Sequence, residues 1–258
     1  MMARAMIRIK MYLISPADYI ISVTLMSVDL LAFVFTYRYL GMPREFSTFV
    51  MIGGILNAYW IHSLWNVGVS TYWEKNRGIL QRYLTSPASL LSVFMGSALG
   101  TSIGASGVAV IVLIFSFILR FPMHIVDPAL AILIFAFTVL NIMFIGAMFS
   151  SLFLLWGREG WLWGLLFEEP IYIASGVYYP LKFMPKLVHF FSYFIPLSFG
   201  IDALRQVIVG ESMGWLPLKY EVFALISMTF VFFFLSSFFA RKICEVARRE
   251  GKLVGVEE

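Results

Sequence analysis

Three carboxylates lie in the middle of long apolar segments of this 258-residue chain. They are Asp29, in the first such segment, and the adjacent pair Glu168 and Glu169, which a proline follows. A charge at the centre of a membrane-spanning helix costs about 2.5–3.5 kcal/mol on insertion scales, so such residues are functional candidates. The pair could line a polar path, bind a cationic group or share a proton, or it could stabilise a broken helix by hydrogen bonding. Adjacent helical positions differ by about 100°, so we expect only one of the pair to face a pathway.

The sequence contains no recognisable catalytic constellation. Its three His are widely separated, its single Cys is Cys244, and neither an H-E-x-x-H motif nor a G-x-x-x-x-G-K-[ST] phosphate loop occurs. We therefore expect no catalytic residue, no metal site and no cofactor bound by this chain. If ATP drives its activity, the ATPase must be a separate chain.

The longest charged stretch before the C-terminal tail covers residues 73–89 and separates two apolar segments. Its charges cluster in its first half, and its apolar residues recur at a spacing that forms one stripe on a short helix. The charged residues are Glu74, Lys75, Arg77 and Arg82, and the apolar ones are Ile79, Leu80, Tyr83 and Leu84. Ser86-Pro87 ends the pattern because proline disfavours helical geometry in the residue before it. We predict an amphipathic helix within 72–89 that lies on the membrane surface and could take force from a soluble partner.

The composition is that of a membrane protein. Hydrophobic residues make up 60% and charged residues 13% of the chain, against roughly 45–50% and about 25% in ordinary soluble domains. A span needs about 20 apolar residues to cross a hydrocarbon core of roughly 30 Å. Six segments qualify: 19–39, 46–69, 90–119, 129–156, 161–178 and 222–240. We predict an all-α membrane protein with six transmembrane helices in a single domain, residues 1–258.

The distribution of Lys and Arg predicts the orientation of the chain. Twelve of the 19 fall in the N-terminus, the 70–89 loop, the 157–160 turn and the tail at 241–258, and seven fall on the other side. By the positive-inside rule, both termini lie in the cytoplasm. The net charge of +4 thus indicates orientation rather than nucleic-acid binding. Residues 1–17, basic and apolar by turns, predict an interfacial elbow helix, or else a frayed start that carries positive-inside charges.

A stripe of small residues runs along the third predicted span. Gly96, Gly100 and Gly104 recur four residues apart, a spacing that lets another helix backbone approach closely in a membrane. The stripe indicates either tight packing within one bundle or a subunit interface.

Two segments resemble the type-two ATP-binding-cassette (ABC) export permeases. The run 74–87 is similar to the coupling-helix signature of that family, although Asn76 and Ile79 depart from it; the matching residues are Gly78, Leu80, Gln81, Leu84 and Pro87. Residues 175–210 are similar to the family's short extracellular re-entrant helices before the last span. The matching residues there are Ser175, Gly176, Pro180, Pro185, Pro196, Leu197, Asp202, Ala203, Arg205 and Gly210. A segment too broken by proline to span, yet too apolar for open water, independently suits a re-entrant region at 179–217.

The resemblance implies a permease subunit in the plasma membrane that exports an amphiphilic substrate, namely a drug, a lipid or a lipid-linked polysaccharide. It also implies a second permease copy, identical or similar, and two ABC ATP-binding subunits that bind ATP and Mg. The coupling residues would be Glu74, Lys75, Arg77, Gly78, Leu80, Gln81 and Leu84, and the outer motif Pro180, Pro196, Asp202 and Arg205. Two alternatives stay open: a non-transporting membrane scaffold for an ATPase, and an ion-coupled carrier that uses Asp29, Glu168 and Glu169 as proton sites.

Overall fold

The computed structural model of the protein describes residues 1–79, 89–123, 125–155, 160–210 and 214–249, and within these ranges it is all-α, without a strand. Helices α1 to α10 are, in chain order, Met2–Ile14, Pro16–Tyr39, Glu45–Ser63, Ser70–Asn76, Leu90–Ile118, Pro128–Leu155, Gly160–Ala174, Lys186–Ser192, Pro196–Ile208 and Leu218–Arg249. A π-helical segment, Leu64–Val69, joins α3 to α4, and a 3-10 turn, Leu181–Phe183, precedes α8. The prediction of an all-α membrane protein is confirmed.

Four of the described helices are long and apolar enough to cross a membrane: α2, α5, α6 and α10. A fifth crossing results if α8 and α9, which meet at a bend of 101°, count as one broken span. The predicted spans 46–69 and 161–178 correspond to α3 with its π-helical continuation and to α7. α7 has 15 residues, or about 22 Å of helix, and α3 carries buried polar side chains such as Asn57 and His62.

Helix α3 occupies the centre of the bundle. It packs against α2, α5, α6 and α9, and nearly every side chain from Ser47 to Ser63 is buried. Phe49, Leu56 and Trp60 are among the most deeply buried core residues. Helices α6 and α10 form another extensive packing pair. A central helix surrounded by protein needs less apolarity than a lipid-facing one, which explains the weaker hydropathy signal of α3.

Helix α1 lies along the glycine stripe of α5. A Cβ atom on Gly96 would overlap the Met1 carbonyl oxygen, and one on Gly100 would lie 2.6 Å from the Cβ of Arg8. A Cβ on Gly104 would overlap the Tyr12 ring. The stripe therefore serves packing within one chain, the first of the two interpretations above.

The two faces of α1 are inverted relative to those of a helix on a soluble domain. The side that meets the bundle contains Ala5 and Arg8, both buried. The outward side is apolar, and its exposed members are Met2, Met6, Ile7, Met11, Leu13 and Ile14. An outward apolar face of this size is stable where it contacts lipid.

Candidate functional site

The predicted coupling residues lie at and beyond the end of α4. Its carboxylate, Glu74, accepts hydrogen bonds from two α1 side chains, Arg4 and Arg8, the latter over 3.0 Å. Arg8 also donates to Ser70 Oγ over 2.7 Å, and Arg4 to Ser97 Oγ of α5 over 2.8 Å. Both ion pairs are largely shielded from solvent, with side-chain exposures of 10–16%. Glu74 therefore ties the end of α4 to α1 and, through Arg4, to α5.

The neighbouring cation, Lys75, is also directed into the protein. Its side chain is buried, and Nζ donates to the Leu154 carbonyl oxygen over 3.0 Å. Leu154 belongs to the last turn of α6, where carbonyl groups have no partner within their own helix. Lys75 thus satisfies an acceptor at a helix C-terminus, a favourable position for a cation.

Helix α4 ends at Asn76 and is followed by a turn with exposed Arg77 at its start. Gly78 has a φ of +69° and no atom near the position a Cβ would take, so the chain turns there in a left-handed conformation that glycine adopts without strain. The remaining coupling residues, Leu80, Gln81 and Leu84, lie outside the described residues. The amphipathic helix within 72–89 stays a prediction: Glu74 and Lys75 lie in the end of α4 and Arg77 in the turn after it, whereas Arg82 lies outside the described residues.

The π-helical segment connects this region with the predicted substrate path. Trp65 Nε1 donates to Glu168 Oε2 of α7 over 2.8 Å. The same segment leads directly into Ser70 and Glu74, which bond α1. π-helical insertions occur frequently at functional sites. This one contacts α7 through Trp65 and continues into Ser70 and Glu74, which contact α1.

The two adjacent carboxylates of α7 face different environments. Glu168 is partly buried against Trp65, whereas Glu169 is exposed on the outer side of the helix. Asp29 of α2 is exposed too, and its Oδ2 lies 3.4 Å from the Tyr178 hydroxyl, which donates to it. Tyr172 of α7 lies near both Asp29 and Glu169. The structure thus brings two of the three predicted carboxylates to one exposed face, and turns the third inward.

The outer motif contains a buried hydrogen-bond cluster around Arg205, the Arg205 cluster. This guanidinium, 1% exposed, donates to the carbonyl oxygens of Phe49 over 3.1 Å, Gly176 over 2.7 Å and Val177. Its carbon Cζ lies 3.3 Å from the centroid of the Phe49 ring. One side chain therefore holds α9, α3 and the segment after α7 together, and its charge is stabilised by carbonyl dipoles and an aromatic face.

The other members of the outer motif also have structural positions. Pro196 occupies the first turn of α9, where its missing N–H costs nothing, and buried Pro180 precedes the 3-10 turn. Asp202 accepts from the Trp215 backbone N–H over 2.7 Å and from Gln206 over 3.2 Å. These bonds fix the segment before α10 onto α9.

Several interacting residues were not predicted from the sequence: Arg4, Arg8, Trp65, Gln206 and Glu221. Gln206 Nε2 donates to Glu221 Oε2 over 2.8 Å, and Glu221 is fully buried in the first turn of α10. The sequence feature that could have indicated Glu221 is the position of this carboxylate at the start of an apolar segment, one residue outside the predicted span. The two arginines appeared only as positive-inside charges, because nothing local indicated a partner about 70 residues away.

Within the part of the chain that the structure describes, no group of three or more His, Cys, Asp or Glu side chains is placed to hold a metal ion. Arg77 is the one predicted coupling cation that is exposed, whereas Glu74, Lys75 and Arg205 take part in contacts between helices. Asp202 bonds the segment before α10. The site geometry is that of a helical bundle with an exposed turn after α4 and an exposed polar face on α2 and α7.

Comparison with known proteins agrees with this architecture. No curated protein sequence matches the chain significantly. The sequence model of a transporter family, described as ABC-2 type transporter, matches residues 9–209. The match runs from α1 to the end of α9 and includes the coupling segment, the π-helical segment and the Arg205 cluster. The chain belongs to the ABC-2 type transporter family and is a multi-pass membrane permease subunit.

Proposed function

We propose that this permease exports an amphiphilic substrate from the cytoplasm, driven by ATP hydrolysis on a separate partner. The observation that carries the proposal is the exposed polar face on α2 and α7, where Asp29 and Glu169 both lie near half-buried Tyr172 and where the buried Tyr178 donates its hydroxyl hydrogen to Asp29. Carboxylates on the lateral surface of apolar helices are costly against lipid. A second copy of the chain that covers this face would place the carboxylates along a polar path between the two subunits.

In the proposed topology the protein lies in the plasma membrane and crosses it six times. Both termini are in the cytoplasm. Helix α3 with its π-helical continuation and α4 would form the second crossing, and α7 with the segment up to Tyr178 the fifth. The positive-inside distribution of Lys and Arg supports this orientation. α1 would lie at the cytoplasmic interface with its apolar face towards lipid, and α8 and α9 would form a re-entrant pair on the outside.

Coupling to ATP hydrolysis would use the turn after α4. Two ABC ATP-binding subunits, holding ATP and Mg, would dock at Arg77 and the residues that follow. The bonds of Glu74 to α1 and of Lys75 to α6 support this role, because force on the turn would reach two further helices directly. Trp65 and Glu168 would extend the same connection towards the polar face.

The proposal is tested by reconstitution of the permease with its ABC ATPase in liposomes. The ATP hydrolysis rate is read while drugs, lipids and polysaccharide precursors are added. Stimulation by one class, reduced when Asp29 and Glu169 are replaced by Asn and Gln, would support export along the polar face. A stable complex without stimulation or transport would favour the scaffold alternative. ATP-independent transport driven by an ion gradient would favour the carrier, and failure to bind any ABC ATPase would refute the proposal.

A further inference from the structure

A cavity of about 350 Å³ lies at the elbow between α1 and α2, against the end of α3 and the π-helical segment. Its wall includes Arg8, Met11, Tyr12 and Ile14 of α1, Asp18 of α2, His62 of α3 and Asn66 of the π-helical segment. The volume is in the range of small-molecule sites, roughly 300–1,000 Å³. None of the roles proposed above uses this cavity.

The inner wall presents a buried hydrogen-bond acceptor. His62 is 3% exposed, and its Nδ1 bonds the Ala58 carbonyl oxygen over 3.0 Å. Since a carbonyl can only accept, Nδ1 carries the hydrogen, and Nε2 of the neutral ring presents a lone pair. Among the described residues Nε2 has no hydrogen-bond partner. A ligand N–H or O–H group in the cavity would supply one.

Opposite charges stand on the two helices that border the cavity. Arg8 of α1 lines one side, and its guanidinium also bonds Ser70 and Glu74. Asp18, in the first turn of α2, lines the other side and is exposed. A cation on one helix and a carboxylate on the next are complementary to a zwitterion with a phosphate at one end and an ammonium at the other.

The α1 edge of the cavity is apolar and continues into the outward face of that helix. Met11 and Ile14 line the cavity and are exposed, the latter by 77%. The Tyr12 and Tyr19 rings, 4.8 Å apart, form the aromatic part of the same wall. Polar side chains beside an apolar edge suit an amphiphile whose chains lie along α1 and whose headgroup enters between α1 and α2.

We propose that this cavity binds the phosphoethanolamine headgroup of a membrane lipid. The phosphate lies towards Arg8, and the ammonium donates to the Asp18 carboxylate and to His62 Nε2. A trimethylammonium headgroup has no N–H to donate, and a phosphoglycerol headgroup has no cation for Asp18. The site therefore distinguishes phosphatidylethanolamine from both. This inference does not depend on which cargo the permease moves.

The experiment is thermal unfolding of the full chain in detergent micelles doped with dioleoyl phosphatidylethanolamine, phosphatidylcholine or phosphatidylglycerol. The chains are identical, so only the headgroup differs. At saturating lipid we expect phosphatidylethanolamine to raise Tm by about 3 °C more than the other two. Soluble phosphoethanolamine is a separate arm: an equal shift from it would support the headgroup chemistry but name a free metabolite as the source.

Two variants and one control decide whether the cavity is responsible. Asp18→Asn removes the partner of the ammonium at an exposed position, and Ser22→Trp fills the cavity from α2. Ile21→Trp adds the same bulk on the exposed face of the same helix, outside the lining residues. We expect the preference for phosphatidylethanolamine to vanish in the first two and persist in the control. Equal Tm shifts from all three lipids, or a preference that survives Asp18→Asn and Ser22→Trp, would overturn the proposal. If Ser22→Trp does not fold, Asp18→Asn alone decides.

Discussion

The Arg8 guanidinium of α1 lies 3.0 Å from the Glu74 carboxylate of α4, which Arg4 approaches from the same helix. Replacing Glu74 with Ala leaves two guanidinium groups close together in a site with little solvent. Removal of one partner from a largely buried ion pair is costly, so we expect the free energy of unfolding to fall by about 2–4 kcal/mol. Thermal unfolding in detergent measures it. Stability equal to the wild type would contradict the assigned role of Glu74 as a tie between helices.

Arg77 provides the contrast, because it is exposed beyond the end of α4. We expect Arg77→Ala to change stability by less than about 0.5 kcal/mol, while co-purification with the ABC ATPase and the coupled hydrolysis rate both fall. The comparison with Glu74→Ala separates docking from folding, since the two residues lie three positions apart. The docking role of Arg77 would be lost if the variant retained the partner at wild-type level.

The close approach of α1 to α5 gives a third prediction. Gly100 has no room for a side chain, since a Cβ there would lie 2.6 Å from the Cβ of Arg8 and 2.8 Å from the Ala5 carbonyl oxygen. We expect Gly100→Leu to push α1 away and to lower stability by about 1–3 kcal/mol, as overpacking does. Ile103→Leu, on the exposed face of the same helix, is the matched control. Similar Tm values for the two variants would mean that α1 is not held by the stripe.

The buried side chain of Arg205 gives a fourth prediction. Lys in its place has a single ammonium that cannot reach three carbonyl oxygens in the planar arrangement of a guanidinium. We expect Arg205→Lys to destabilise the protein by about 3–5 kcal/mol, because buried acceptors lose their donors. Lys186→Ala, at an exposed position on α8, should leave Tm unchanged. An Arg205→Lys variant as stable as that control would show that the Arg205 cluster is not needed for folding.

The sequence predicted those features that follow from local patterns. The glycine spacing of α5 indicated a close helix contact, the prolines indicated the broken region before α10, and the adjacent positions of Glu168 and Glu169 implied that they face different ways. What could not be predicted were the pairings between distant segments. Nothing near Glu74 or Arg205 in the sequence indicates that one meets Arg8 and the other Gly176, because those contacts depend on how whole helices pack.

A physical ambiguity also limited the prediction of how many helices cross the membrane. The α3 segment contains polar residues such as Asn57 and His62 that lower its hydropathy, yet the helix is surrounded by other helices and does not need a lipid-facing surface. Hydropathy measures the preference for lipid, so it is a weak guide to a helix at the centre of a bundle. α7 gives an equally weak signal for another reason, its length of 15 residues.

The contact between Trp65 and Glu168 gives the last prediction, which concerns transport. If this bond of 2.8 Å carries movement from the π-helical segment to the polar face, Trp65→Phe and Glu168→Gln should each reduce substrate-coupled transport by about tenfold, corresponding to about 1.4 kcal/mol, with ATPase docking unchanged. The double variant should lose no more than either single one, since both remove the same interaction. Glu169→Gln serves as the comparison because its side chain is exposed and, among the described residues, it is Glu168 that bonds Trp65. The effect of Glu169→Gln should add to that of Trp65→Phe. Strictly additive losses for Trp65 and Glu168, or wild-type transport in both single variants, would show that the bond only supports the fold.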